Sequence, residues 1–208
     1  MTEKTFKPLP LGNEDFVSLR QKGKYYVDKT PYLKNVFTEP SSVLLFTRPR
    51  RFGKTLLMDM FASFLAIAED GSDNREFKEK IFDGLEILKD KEFTDKYLGQ
   101  FPVISFSLKG VFGKDYNAAY EALAFTLSNL FKCFLFLNDS EKLLDSEKES
   151  LKLLQDFNYL STPKAEKYIV SSLEFLSSCL YKHFSKKVII LIDEYDVPLA
   201  KASENGYH

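Results

Sequence analysis

The stretch Val43-Leu-Leu-Phe-Thr-Arg-Pro-Arg-Arg-Phe-Gly-Lys-Thr-Leu-Leu-Met-Asp-Met60 decides how this chain is read. Val43 to Phe46 is an apolar run of strand formers that stops at a turn. Lys54 and Thr55 then open a segment in which Leu57, Phe61, Phe64, Leu65 and Ala68 recur at helical spacing. Strand, loop ending Gly-Lys-Thr, then helix is the layout of a phosphate-binding loop. The N–H groups at a helix start lack intrahelical acceptors and carry partial positive charge, and phosphate oxygens satisfy both needs. Lys54 would reach the β- and γ-phosphates, and the Thr55 hydroxyl would hold Mg²⁺. The eight positions are Arg48, Pro49, Arg50, Arg51, Phe52, Gly53, Lys54 and Thr55, with backbone N–H groups from Arg50 onward around the phosphates. The general pattern has glycine where Arg48 stands, and arginine takes a positive φ only at a cost glycine avoids. A basic surface turn that caps a helix is the plainer reading of the same residues.

A second run, Val188-Ile-Ile-Leu-Ile192, is five aliphatic residues bounded by Lys186-Lys187 before it and Asp193-Glu194 after it. Such a run reads as a strand buried on both faces, as in a parallel sheet. Ligands of open α/β sheets bind at the carboxyl ends of strands, so Asp193 and the loop are expected at one sheet edge. Asp193 would hold Mg²⁺ together with Thr55, and Glu194 would orient or deprotonate the attacking water. Taken alone, Asp193-Glu194 is a solvated strand end; paired with the loop it becomes half of a catalytic site.

The remaining segments surround these two. Residues 1–12, with Pro8 and Pro10, read as an extended arm, and Asp15 to Gln21 as a short helix. Lys24 to Val27 is a short strand candidate, followed by Thr30 as N-cap, Pro31 at the first helical position and a helix over Tyr32–Phe37. Asp28 and Lys29 read as a turn and cap pair, with the segment around Asp28 as an adenine-pocket candidate. Residues 69–74 form a loop, Arg75 to Phe82 a helix, and Lys89 to Lys96 a charged, irregular stretch. Phe101 to Leu108 suggests a second buried strand with Pro102 at its start. Asn117 to Leu137 carries an apolar stripe of helical period, Ser146 and Glu149 have capping-box spacing, and Thr162-Pro163 opens a helix reaching Phe184. Residues from about 115 to 184 contain no strand signal and read as a helical excursion.

Composition excludes several classes. The 208 residues are 44% hydrophobic and 28% charged, ordinary for a globular chain long enough to bury a core. A formal net charge of −1 gives no global attraction to nucleic acid or anionic membranes; the clusters Arg48, Arg50, Arg51 and Lys186-Lys187 do not change that balance. Cys133 and Cys179 lie in apolar segments and read as buried thiols, and with His183 and His208 they match no zinc spacing. The N-terminus lacks an apolar signal core and no apolar run reaches membrane-spanning length, which leaves a cytoplasmic location as the default.

Five stretches carry a resemblance: 9–16 (Leu-Pro-Leu-Gly-Asn-Glu-Asp-Phe), 25–30 (Tyr-Tyr-Val-Asp-Lys-Thr), 45–55, 101–104 (Phe-Pro-Val-Ile) and 191–199 (Leu-Ile-Asp-Glu-Tyr-Asp-Val-Pro-Leu). In these the chain resembles the AAA-ATPase-like family, bacterial proteins that often carry a C-terminal restriction-nuclease-like domain of the PD-(D/E)XK kind. In that family the Arg-Pro-Arg-Arg-Phe-Gly-Lys loop is the usual form, so Arg48 ceases to be a defect. The resemblance implies ATP as the nucleotide and an α/β, three-layer P-loop NTPase fold (ASCE/AAA-like) with a mostly parallel sheet and a helical insertion. The implied organisation is an N-terminal arm with a helix/strand segment over 1–40, packed on a P-loop ATPase domain over 41–208.

P-loop proteins with a Glu after the second-motif Asp usually place a further strand between the two motif strands. Nothing after Asp193 has a strand signal, so the expectation is a fold incomplete at its C-terminus, the N-terminal part of a longer protein or a truncated frame. The functional expectation is an ATP-binding ATPase domain in which Lys54, Thr55, Asp193 and Glu194 carry Mg²⁺-assisted hydrolysis, weak or inactive as this fragment. The alternative is a nucleotide-binding regulatory or scaffold module without efficient turnover. Partners compatible with it are ATP, a second copy of the chain, or a nuclease-like domain; nucleic acid and membrane are not expected for this domain alone.

Overall fold

The computed structural model describes residues 8–10, 12, 14–47, 49 and 52–207. Arg48, Arg50 and Arg51 of the expected loop lie outside the described residues. The described chain forms two compact units: residues up to 68 together with 72–101, and residues 69–71 together with 102 onward.

The first unit is helical. It holds α1 (Phe16–Gln21), α2 (Pro31–Thr38), α3 (Lys54–Leu65), α4 (Arg75–Phe82) and α5 (Lys91–Tyr97), with a 3-10 turn at Glu86–Lys89 before α5. Its core gathers Phe16, Leu19, Leu33, Met60, Phe64, Phe82 and Ile87, all with no exposed surface. Phe16 packs against Tyr26 and Phe82, with ring centroids 5.2 and 4.9 Å away, and Phe64 meets Phe82 edge-on. The Asp15 side chain caps α1 by accepting from the Ser18 N–H at 2.7 Å. The Asp59 carboxylate of α3 accepts from the Phe16 N–H at 2.6 Å and joins the two helices. Burial pushes the Asp59 carboxyl above its usual range, and that backbone bond pulls it back down.

Helix α5 corrects the expectation of an irregular stretch at 89–96. Asp90 caps it by accepting from the Phe93 N–H at 3.0 Å. Phe93 and Tyr97, four residues apart, stand on one face against Phe37. The charged residues between them are the solvent face of an amphipathic helix. A strand at Lys24–Val27 is also absent: these residues are irregular, and the Tyr25 N–H donates to the Pro8 carbonyl at 2.9 Å.

The expected strand at Val43–Phe46 does not form either; residues 44–47 have no regular structure. Val43 is 86% and Leu45 63% exposed, while Phe46 meets the Phe61 ring at 5.9 Å. A strand is stabilised by cross-strand pairs, and no neighbouring strand supplies them among the described residues.

The second unit contains the sheet. Strands β1 (Val103–Ser107) and β2 (Ile189–Asp193) pair in parallel, with Val103 opposite Ile189 and Ser107 opposite Asp193. The ladder continues past both ends through Ile189 N–H to the Pro102 carbonyl and Leu108 N–H to the Asp193 carbonyl, at 3.0 and 2.9 Å. Parallel strands need a crossover. Here it is α6 (Tyr116–Lys132), a 3-10 turn at Leu135–Asp139, α7 (Asp145–Gln155), α8 (Phe157–Leu160), a 3-10 turn at Pro163–Ala165 and α9 (Glu166–Phe184). No strand interrupts this crossover, as the absence of strand signals predicts. α10 (Val197–Asn205) follows the sheet.

Ile104 of β1 is fully buried in a cluster with Leu127, Phe131, Leu151, Leu176 and Leu180. Asp115 starts α6 by accepting from the Ala118 N–H at 2.9 Å. The capping pair of α7 is Leu144 and Glu147, the carboxylate accepting from the Leu144 N–H at 3.0 Å, rather than Ser146 and Glu149. The expected helix over 117–137 ends at Lys132, and Cys133 after it is exposed, not buried. Cys179 is buried, and burial pushes its thiol up to about 11. Among the described residues no helix is long and apolar enough to cross a membrane.

Candidate functional site

Of the expected loop residues, Gly53, Lys54 and Thr55 form the start of α3. Gly53 is its N-cap, with φ +73 and ψ +38, the left-handed region that suits glycine. Lys54 and Thr55 are the first two helical residues. The Gly53 carbonyl takes the first helical bond, from the Leu57 N–H at 3.0 Å. Leu57, Met60, Phe61, Phe64 and Leu65 bury one face of α3 and so anchor the helix that Gly53 caps. Before the helix, the Phe52 N–H approaches the Pro49 carbonyl at 3.4 Å, while the Phe52 ring is 61% exposed.

A second segment holds this turn. The Asp28 carboxylate accepts from the Thr30 N–H at 2.8 Å and the Thr30 hydroxyl at 2.7 Å through Oδ1, and from the Glu86 N–H at 2.7 Å through Oδ2. Thr30 is fully buried, and its hydroxyl also accepts from the Ile87 N–H at 3.2 Å. Thr30 therefore does not cap α2 with its side chain; Asp28 organises the turn, as turn chemistry suggests for that residue. Between them, Lys29 sends its ammonium to the Phe52 carbonyl at 3.0 Å. Sequence reasoning missed this: Lys29 and Phe52 are 23 positions apart, and no local pattern marks the pair.

In the second unit, Asp193 ends β2 and is 8% exposed. Its Oδ1 accepts from the Glu194 N–H at 3.0 Å. Glu194 has φ +52, one of two non-glycine residues with positive φ among those described. This costs an L-residue about 1–2 kcal/mol. Ser107 lies opposite Asp193 at the carboxyl end of β1, where its Oγ accepts from the Lys109 N–H at 3.2 Å. No group of three or more His, Cys, Asp or Glu with metal-ligand geometry occurs among the described residues.

Residues 10–208 match the family described as Predicted AAA-ATPase. The chain belongs to this AAA-ATPase-like family. Among curated proteins it is similar to an "Uncharacterized protein in vnfD 5'region" of Azotobacter chroococcum mcd 1, with 39% identity over 61 residues. That alignment covers 29% of this chain and 12% of the relative. No solved structure matches the chain. Family membership supports nucleotide binding in general terms.

Proposed function

We propose that this AAA-ATPase-like chain binds ATP at the start of α3 and couples binding or hydrolysis to a conformational change. The observation that carries the reading is Gly53 at φ +73 capping a 12-residue helix whose first two residues are Lys54 and Thr55. A helix start presents N–H groups that lack intrahelical acceptors, the kind phosphate oxygens take, and Lys54 occupies the position of the loop's lysine. Pro49, Phe52 and Gly53, with Arg48, Arg50 and Arg51, complete the nucleotide-binding loop in this proposal.

Lys54 neutralises phosphate charge, and this electrostatic stabilisation is its catalytic role. Thr55 and Asp193 are each hard oxygen donors of the kind Mg²⁺ takes, a cation that keeps several waters and needs few protein ligands. When bound, Mg²⁺ neutralises charge on the β- and γ-phosphate oxygens. Glu194 orients or deprotonates the attacking water; its left-handed backbone supports a placement retained for function.

The test is ATP affinity of the wild type and Lys54→Ala, with turnover measured alongside. Lys54→Ala should weaken binding by about 10–100-fold, removing a charged contact to phosphate, while the circular dichroism spectrum stays unchanged. Equal affinity in a folded variant would refute the reading.

A further inference from the structure

We infer that Lys29 is a positioning residue for the phosphate loop, an inference that rests on the nucleotide reading above. Its ammonium bonds the Phe52 carbonyl at 3.0 Å, and a Cβ built on Gly53 would lie 3.1 Å from the same nitrogen. The C=O of Phe52 and the N–H of Gly53 belong to one trans peptide, so they point in opposite directions. Holding the carbonyl on the Lys29 side turns the Gly53 N–H to the other side. It also draws the negative end of the peptide dipole away from the place an anion would take.

The anchor of Lys29 is stiff. Asp28 before it and Thr30 after it make four hydrogen bonds among themselves and to the Glu86 and Ile87 backbone. Lys29 thus hangs from a fixed turn and reaches across to the loop. The Asp-Lys-Thr triplet has a division of labour: the outer two residues hold the turn, and the middle one sets a peptide plane. An uncharged residue of equal length would fill the space but leave that plane free to rotate.

The experiment compares wild type, Lys29→Met and Lys29→Arg by ATP affinity and by amide hydrogen exchange of the 52–57 segment without nucleotide. Lys29→Met keeps the apolar stem and should bind ATP about tenfold more weakly, with faster exchange at Gly53 and Lys54; the loss follows from removing a charged hydrogen bond. Lys29→Arg should restore affinity to within about threefold of wild type. Wild-type affinity or exchange in Lys29→Met would overturn the inference, as would failure of Lys29→Arg to rescue. Loss of the folded state in Lys29→Met would also overturn it, since Lys29 would then be a structural residue. If wild type itself does not bind ATP, the nucleotide reading falls first and this inference falls with it.

Discussion

The runs Val43–Phe46 and Val188–Ile192 are both short and wholly apolar, and only at the second does a strand form, over Ile189–Asp193. Ile189–Asp193 lies in register with Val103–Ser107, and the neighbouring Ile104 is fully buried. In the first run Val43 and Leu45 are largely exposed, and residues 44–47 take no regular form. Strand propensity is a preference for a pleated, half-buried surface, not a property of the backbone alone. The residues at the start of α3 are consequently held by other means: a helix anchored by its apolar face and a lysine on a carbonyl.

Truncation is the most direct way to break this contrast. Ile104→Ala should lower unfolding free energy by about 3 kcal/mol, the loss of a buried aliphatic side chain plus its cavity. Leu45→Ala, at a 63% exposed position, should change it by less than about 0.5 kcal/mol. Urea unfolding of both variants checks the pair, and a large loss from Leu45→Ala would mean that the first run is packed after all.

Between about pH 9 and 10 the two units should respond oppositely to alkali. Burial holds the Lys78 ammonium down at about 8. Between pH 8 and 10 the unfolded chain therefore binds more protons at this lysine, and the first unit gains stability as pH rises, by up to ~2 kcal/mol. Above pH 10 Tyr26, pushed up to about 12 by burial, reverses the trend, because the unfolded phenol loses its proton first. In the second unit Cys179, raised to about 11, gives falling stability from about pH 9 upward by the same rule. Lys78→Met should flatten the rise and Cys179→Ala the fall in urea midpoints measured across pH 7–11.

The smallest contrast lies at two left-handed residues, Gly53 in the first unit and Glu194 in the second. Gly53→Ala puts a Cβ at φ +73 and 3.1 Å from the Lys29 ammonium, and should cost about 1–2 kcal/mol. Glu194→Gly relaxes φ +52 and should stabilise by about 0.5–1 kcal/mol while lowering ATP turnover. Thermal unfolding of each variant reads the sign; stabilisation by Gly53→Ala would remove the conformational argument for the loop.

What was legible in the sequence follows the range of the interactions. Periodicity and caps located α3, α4, α6 and α9, because helices are made of contacts three and four residues apart. The acid pair at the end of β2 was legible because a run of five aliphatics has few alternatives. Helix α5 was hidden, since its apolar face is only Phe93 and Tyr97 among charges. Treating Val43–Phe46 as a strand took composition for a partner. The Lys29–Phe52 bond could not be read at all: it joins two segments that only the packing of the first unit brings together.

The central claim is that the start of α3 is a nucleotide-phosphate seat. Amide hydrogen exchange of the full chain, with and without ATP and Mg²⁺, tests it most directly. The account predicts slower exchange at Gly53, Lys54 and Thr55 on adding nucleotide. Unchanged exchange at all three, under conditions where ATP is in excess, would contradict it.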